Sequence, residues 1–350
     1  MSSISTRTAL LTAAAGSALG YAAFRALRRH DKSDLRGRVT LITGGSRGLG
    51  LQLARDFADQ GCKLAICARD AAELESARDE IAKRGAQVWS QVCDVRDPDQ
   101  VAELVHGVIE HYGRLDILVA NAGIIQVGPI EHMRLEDFRE AMDVMFWGML
   151  YPIWSVLPHM LERKSGRIVT ITSIGGKVSV PHLVPYSCAK FAAVALSEGL
   201  QAELAPKGIK VHTILPGLMR TGSYLNALFK GRHADEFRWF GLSSSTPGIS
   251  MSVERASAQI IQTVRTGRSE RVLTTPAQLL ARFQGAFPEL SQAILTFVNR
   301  AVLPSGEGGS EEKVSGKQVE GRMGPLFSML TALGKAAAAR MNETTAKATT

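Results

Sequence analysis

The eight residues Thr43-Gly44-Gly45-Ser46-Arg47-Gly48-Leu49-Gly50 constrain the fold of this chain more than any other segment. They leave a short apolar run, Val39–Ile42, and enter a helix that ends near Gly61. Glycines permit a tight turn there and let backbone N–H groups approach a pyrophosphate. The helix N-terminus adds partial positive charge at the same point. Such a turn is weak evidence alone. After the first strand of a βαβ unit it implies a dinucleotide site, with a purely structural turn as the alternative.

The chain supplies that βαβ context. Strands are expected at Lys63–Ala68, Val88–Val92, Leu115–Ala120, Arg167–Thr172, Ile209–Leu215 and Arg271–Leu273. Between them lie helical stretches at Ala71–Lys83, Asp99–Tyr112, Leu135–Arg163, Tyr186–Leu204 and Val253–Thr266. This rhythm implies an α/β fold: a doubly wound, seven-stranded parallel sheet, Rossmann-like, with helices on both faces. Ligands in such sheets bind beyond the carboxyl ends of the strands. Residues 39–275 form the expected catalytic domain. They follow an apolar and basic N-terminal segment, 1–38, and precede a helical C-terminal extension, 276–350.

The formal net charge is +8, and much of it is local. Seven basic residues precede Val39 (Arg7, Arg25, Arg28, Arg29, Lys32, Arg36 and Arg38), against Asp31 and Asp34. They flank the uncharged run Ala9–Phe24, which is short for a span unless it extends through Arg25 to Leu27. A membrane anchor or interfacial helix with its basic side in the cytoplasm is expected; a cleaved signal or a soluble tail are the alternatives. No helix-turn-helix, zinc-finger or RNA-binding signature accompanies the basic residues, so nucleic acid is not an expected partner. Cys62, Cys67, Cys93 and Cys188 form no C-x-x-C pair, and the eight histidines lack ligand spacing, so neither disulfide chemistry nor a metal site is expected. In the C-terminal extension, Pro276–Leu303 has helical apolar spacing broken at Pro288. Pro304–Met323 reads as a flexible linker, Leu326–Met341 as one more helix, and Asn342–Thr350 as disordered. These apolar helices could cover a substrate pocket, pack a dimer or touch a membrane.

Two features specify the cofactor. Enzymes that use NAD usually carry an acid at the end of the second strand for the ribose 2′-hydroxyl. Here that strand ends Ile66-Cys67-Ala68-Arg69. Arg69 and Arg47 could instead hold a 2′-phosphate, so NADP(H) is expected and NAD(H) is the alternative. Asp94 after the third strand could meet the adenine, and Asn121-Ala122-Gly123 after the fourth could line the cofactor; either polar residue could simply cap a turn. The chemistry is expected at Ser173, Tyr186 and Lys190. The four-residue spacing puts Tyr186 and Lys190 on one helical face. A nearby ammonium favours the phenolate, while Ser173 can hydrogen-bond a substrate oxygen.

Taken together, these motifs resemble the short-chain dehydrogenase/reductase (SDR) family over Val39 to about Leu273. The matching pieces are TGGSRGLG at Thr43–Gly50, with Gly44, Ser46, Arg47, Gly48, Leu49 and Gly50 on the cofactor; DV at Asp94–Val95; NAG at Asn121–Gly123; Ser173; YSCAK at Tyr186–Lys190; and Pro216-Gly217 followed by Thr221. The resemblance implies that Pro216, Gly217 and Thr221 border the nicotinamide, that Tyr186 and Lys190 also touch the cofactor, and that the segment after Thr221 is a substrate lid. There is one departure. Met145 stands where the family usually has an Asn that helps hold a water near the lysine, and Met cannot donate such a bond. The expected activity is NADP(H)-dependent interconversion of a carbonyl and an alcohol. Tyr224, Leu225, Leu228, Phe229, Trp239 and Phe240 point to a lipophilic substrate, although they could serve only as lid packing. A homo-oligomer is expected. The alternative is a weakly catalytic, membrane-tethered NADP-binding regulatory protein.

Overall fold

The computed structural model describes residues 33–344, so the anchor expected over residues 9–27 lies outside the described residues, as do residues 345–350 of the tail expected to be disordered. The sheet strands are β1 (Val39–Thr43), β2 (Lys63–Ala68), β3 (Val88–Val92), β4 (Ile117–Ala120), β5 (Gly166–Ile171), β6 (Ile209–Leu215) and β7 (Glu270–Val272). Their order is β3-β2-β1-β4-β5-β6-β7, every pair parallel. The connections therefore reverse direction at β1, which has β2 on one side and β4 on the other.

Strand composition explains the doubly wound form. β1 and β4 are buried along their whole length, as near-continuous apolar strands are when helices cover both faces. The helices are α1 (Gly48–Asp59), α2 (Ala71–Lys83), α3 (Pro98–Tyr112), α4 (Leu135–Met142), α5 (Gly148–Glu162), α6 (Val184–Leu204), α7 (His233–Ser245), α8 (Val253–Thr266), α9 (Thr275–Ala286) and α10 (Pro288–Ala301). Ile42 of β1 packs with α1, α2 and α8 through Phe57, Leu74, Ile81 and Ile260. Val39 and Leu41, on its opposite face, pack with α3, α5 and α6 through Leu104, Val108, Ile153 and Leu204. Local signals start and stop these helices. Asp70 and Asp97 cap α2 and α3, and Gly113 ends α3 at φ 75.

The helix expected over Leu135–Arg163 is interrupted by a π-helical turn, Asp143–Trp147. α6 begins at Val184, two residues before Tyr186, with Pro185 in its first turn.

The C-terminal extension departs further from expectation. The stretch read as a linker contains a strand, Ser310–Ser315, and a short helix, α11 (Gly316–Glu320). That strand pairs antiparallel with Leu228–Gly231, which in turn pairs with Gln126–Val127. Charge pairing fixes it in place: Lys313 reaches Asp137 at 2.9 Å and Glu140 at 2.6 Å, and buried Lys230 reaches Asp137 at 2.6 Å. Composition alone, polar and glycine-rich, hides such long-range pairs. The last helix is two pieces, α12 (Pro325–Leu330) and α13 (Ala332–Arg340), folded onto α7. Phe327, Ala338 and Val319 join Tyr224, Leu225, Phe229 and Phe237 in a separate core, so of the apolar residues expected to meet a substrate only Trp239 and Phe240 line the cleft, and Tyr224, Leu225, Leu228 and Phe229 do not. Asn342 and Glu343, expected to be disordered, are packed against the glycine turn.

Candidate functional site

A cleft of about 1030 Å³ opens at the carboxyl ends of the strands. The glycine turn forms one wall. Gly44 takes φ +65, where a β-carbon would come 3.0 Å from Ala122 Cα, and at Gly45 one would come 2.9 Å from Ile66. Asn121 braces the turn: its Nδ2 donates to the carbonyls of Thr43 (3.0 Å) and Gly44 (3.1 Å). The Thr43 hydroxyl in turn accepts the amides of Asn121 and Ala122. Asn121 is thus a scaffold of the turn more than a free donor in the cleft, and Thr43 is a supporting residue that the motif did not single out.

Gly44, Ser46, Arg47, Gly48, Leu49, Gly50, Arg69, Asp94, Val95, Asn121, Ala122, Gly123, Pro216, Gly217 and Thr221 all line this one cleft, with Ser173, Tyr186 and Lys190. Two of the expected polar contacts are engaged elsewhere. Arg47 pairs with Glu73 at 3.2 Å, and its Nε lies 3.7 Å from Glu343. Asp94 pairs with Arg96 at 2.6 Å. Burial works to raise the Asp94 carboxyl, but the Arg96 hydrogen bonds and charge outweigh it and hold the group below its ordinary value. Arg69 stays exposed on the cleft rim. Glu73 carried no signal as a cleft residue, because an acid in the first turn of a helix is ordinary capping chemistry.

At the other end of the cleft, Ser173 leaves β5, and its hydroxyl accepts the Gly175 amide at 3.0 Å. Gly175 is required there, since a β-carbon would press on the Tyr186 ring at 3.0 Å. Burial raises the Tyr186 phenol, and the hydrogen bond from Ser173 works against that shift. The Lys190 ammonium lies 5.8 Å from the Tyr186 ring centre and donates to the Ile171 carbonyl at 3.0 Å. Burial pushes Lys190 down to about 8. Met145 is buried in the π-helical turn and packs with Tyr186, Ala189 and Ala122. A phenol, a hydroxyl and a low-pKa amine therefore share one cleft, which Leu183, Trp239, Phe240, Ile249 and Leu280 also line. Glu236, fully buried, accepts from the Trp239 indole at 2.7 Å and contacts His182 at 2.8 Å, which ties α7 to the loop before Tyr186.

The fold and this cleft define a dinucleotide-dependent oxidoreductase architecture, and the comparisons specify it further. The short chain dehydrogenase family model matches residues 38–227. A mouse protein named dehydrogenase/reductase SDR family member 7B is 33% identical over 249 residues, covering 70% of this chain and 74% of its own. A solved short-chain dehydrogenase from Streptomyces avermitilis superposes with TM-score 0.65 at 30% identity, over 75% of this chain and 96% of that one. A Burkholderia phymatum short chain dehydrogenase/reductase, solved in complex with NAD, shares the fold at TM-score 0.65 and 21% identity, over 74% of this chain and 96% of its own. This chain belongs to the short-chain dehydrogenase/reductase family. It is an oxidoreductase acting on CH–OH donors with a nicotinamide cofactor.

Proposed function

We propose that this chain is an NADP(H)-dependent carbonyl reductase, or the reverse alcohol dehydrogenase, acting on a lipophilic substrate. The observation that carries the reading is the convergence of Ser173, Tyr186 and Lys190 on one cleft with the glycine turn. A dinucleotide fits the residues present: the turn has no room for side chains at Gly44 and Gly45, and α1 points its N-terminus at the cleft. When bound, the nicotinamide supplies or accepts the hydride. Tyr186 donates the proton to the carbonyl oxygen in reduction, Ser173 holds that oxygen, and Lys190 keeps the phenol acidic enough to react. Burial raises the Tyr186 phenol and the Ser173 hydrogen bond opposes that shift, so the further lowering falls to a charged Lys190.

The preference for the 2′-phosphate rests on Arg69 at the rim and on the absence of an acid at the end of β2. Arg47 joins it only by exchanging Glu73 for the phosphate. NADPH and NADH titrations of the wild type and Arg69→Ala test this directly. Equal affinity for both cofactors in the wild type would remove the preference. For the chemistry, Tyr186→Phe should lose turnover of a ketone panel while keeping cofactor binding, and an unchanged rate would remove the assigned proton role.

Met145 favours a second reading, a tethered NADP-binding protein with weak catalysis, because it fills the place beside Lys190 with an apolar side chain. Tight NADPH binding without turnover, and turnover restored by Met145→Asn, would support it. A second copy of the chain is the proposed partner, on account of Trp147, Trp154 and Phe191, all exposed on or beside α5 and α6. A monomer by sedimentation would count against it. The proposed membrane association rests on residues 9–27 alone, and fractionation of the full chain against one starting at Asp34 tests it.

A further inference from the structure

The phosphate-binding end of the cleft contains part of the chain itself. After α13 the backbone crosses onto the glycine turn, where the Gly48 N–H donates to the Met341 carbonyl at 2.9 Å. Asn342 donates its side-chain amide to the Ser46 carbonyl at 3.3 Å. The Glu343 carboxyl fills the space over Gly48: a β-carbon on that glycine would lie 2.6 Å from Glu343 Oε1. Glycine at this point leaves room for a phosphate, and here that room holds a carboxyl group.

Both sides of the cleft hold the segment. From the lid, Asn226 donates to the Glu343 backbone carbonyl at 3.1 Å and to its side chain. From α1, Arg55 donates to the Arg340 carbonyl at 2.8 Å and contacts the Met341 sulfur at 3.3 Å. Arg340 is further paired with Glu254 on α8 at 3.2 Å.

We propose that Met341–Glu343 is an autoinhibitory strap that occupies the dinucleotide's pyrophosphate site, so that cofactor binding requires its release. The inference rests on the dinucleotide reading of this cleft. Gly48 has one amide proton, and the space above it has one occupant at a time. The resident is a weak anion mimic. Burial raises the Glu343 carboxyl to about 7, with Arg47, Asn226 and Lys317 opposing the shift and Glu73 adding to it. A pyrophosphate brings permanent charge to the same amides and to Arg47, so it can displace the strap at a cost in apparent affinity equal to the strap's own hold.

NADPH fluorescence titration of the full-length chain at pH 7, against Glu343→Ala and Asn226→Ala, tests the proposal. Thermal melts confirm that each variant is folded. Both variants should bind NADPH roughly tenfold more tightly, in the ordinary range of coupling between two sites. Hydrogen exchange gives an independent reading: NADPH should accelerate exchange at residues 341–344. Unchanged or weaker binding in both variants would overturn the proposal, as would NADPH-induced protection of residues 341–344, which would make the strap a clamp over bound cofactor. Failure of NADPH and NADH to bind the wild type and both variants alike would overturn the dinucleotide reading and the strap with it.

Discussion

Gly50→Ala is the sharpest test of the cleft's construction. Gly50 lies in the first turn of α1, pressed against the turn that feeds it. A β-carbon there would fall on the Gly44 carbonyl and 2.7 Å from Asn121 Nδ2, well inside ordinary contact. Neither neighbour is free to yield. Gly44 is braced by Asn121, and α1 is anchored by Leu51, Leu53 and Phe57, none of which is accessible to solvent. The start of the helix must shift, which costs about 1–3 kcal/mol in overpacking, with about 1 kcal/mol more if the Asn121 bond to Gly44 breaks. Misplacing the turn by the order of 1 Å should weaken NADPH binding and lower turnover about 100-fold, the sensitivity typical of positioned reacting groups. Gly199→Ala is the control. Gly199 sits within α6 with nothing near its β-carbon position, and alanine there should stabilise by about 0.5–1 kcal/mol without affecting the cofactor. Thermal unfolding and NADPH titration of the two variants decide the matter. If Gly50→Ala melts with the wild type and binds NADPH equally well, the close approach of turn and helix does not matter.

Three further outcomes follow from charge and burial. Lys190 has a folded value near 8, below its ordinary 10.5, so the fold resists its protonation; that penalty is full below pH 8 and fades as pH rises to 10.5. Lys190→Met should therefore stabilise the fold at pH 7 by roughly 1–3 kcal/mol, at about 1.4 kcal/mol per pK unit less the lost bond to Ile171, with the gain shrinking in melts above pH 8. Glu343 is shifted the other way, from 4.5 up to about 7, so docking of the strap is firmest at low pH and weakens as pH rises through that range. NADPH affinity of the wild type should approach that of Glu343→Gln only as pH falls toward 4.5, and should exceed it increasingly up to pH 8; a constant ratio between the two would refute this. Asp137→Ala should cost about 3–5 kcal/mol in urea unfolding, because it strands the buried Lys230 ammonium. Burial alone would raise Asp137, but Lys230, the Arg134 amide and Lys313 hold it below its ordinary 3.8. Its contribution is therefore present above that value and lost as pH falls through the lower folded one, so the variant and wild type should converge in acid.

How legible each part was depends on how local its cause is. The glycine turn, the strand and helix alternation and the Tyr186–Lys190 spacing are each set within a dozen or so residues by backbone freedom, periodicity and helical register. The structure places them where the sequence put them, because no distant partner is needed to define them. The strand at Ser310–Ser315 reads as linker because its cause lies far away, in the edge offered by Leu228–Gly231 and in the charges of Asp137 and Glu140. Arg47 shows the intermediate case. Its place in the turn was legible, but its partners Glu73 and Glu343 were not, and they decide whether it is free for a phosphate. The same argument applies to the last residues of the strap. A short polar stretch such as Met341-Asn342-Glu343 carries no folding signal of its own and takes a defined place only because the amides of a glycine turn need acceptors and Asn226 and Arg55 hold it there. What makes the turn recognisable as a phosphate cradle, unpaired N–H groups at a helix start, is also what lets the chain's own carbonyl and carboxyl groups settle in it.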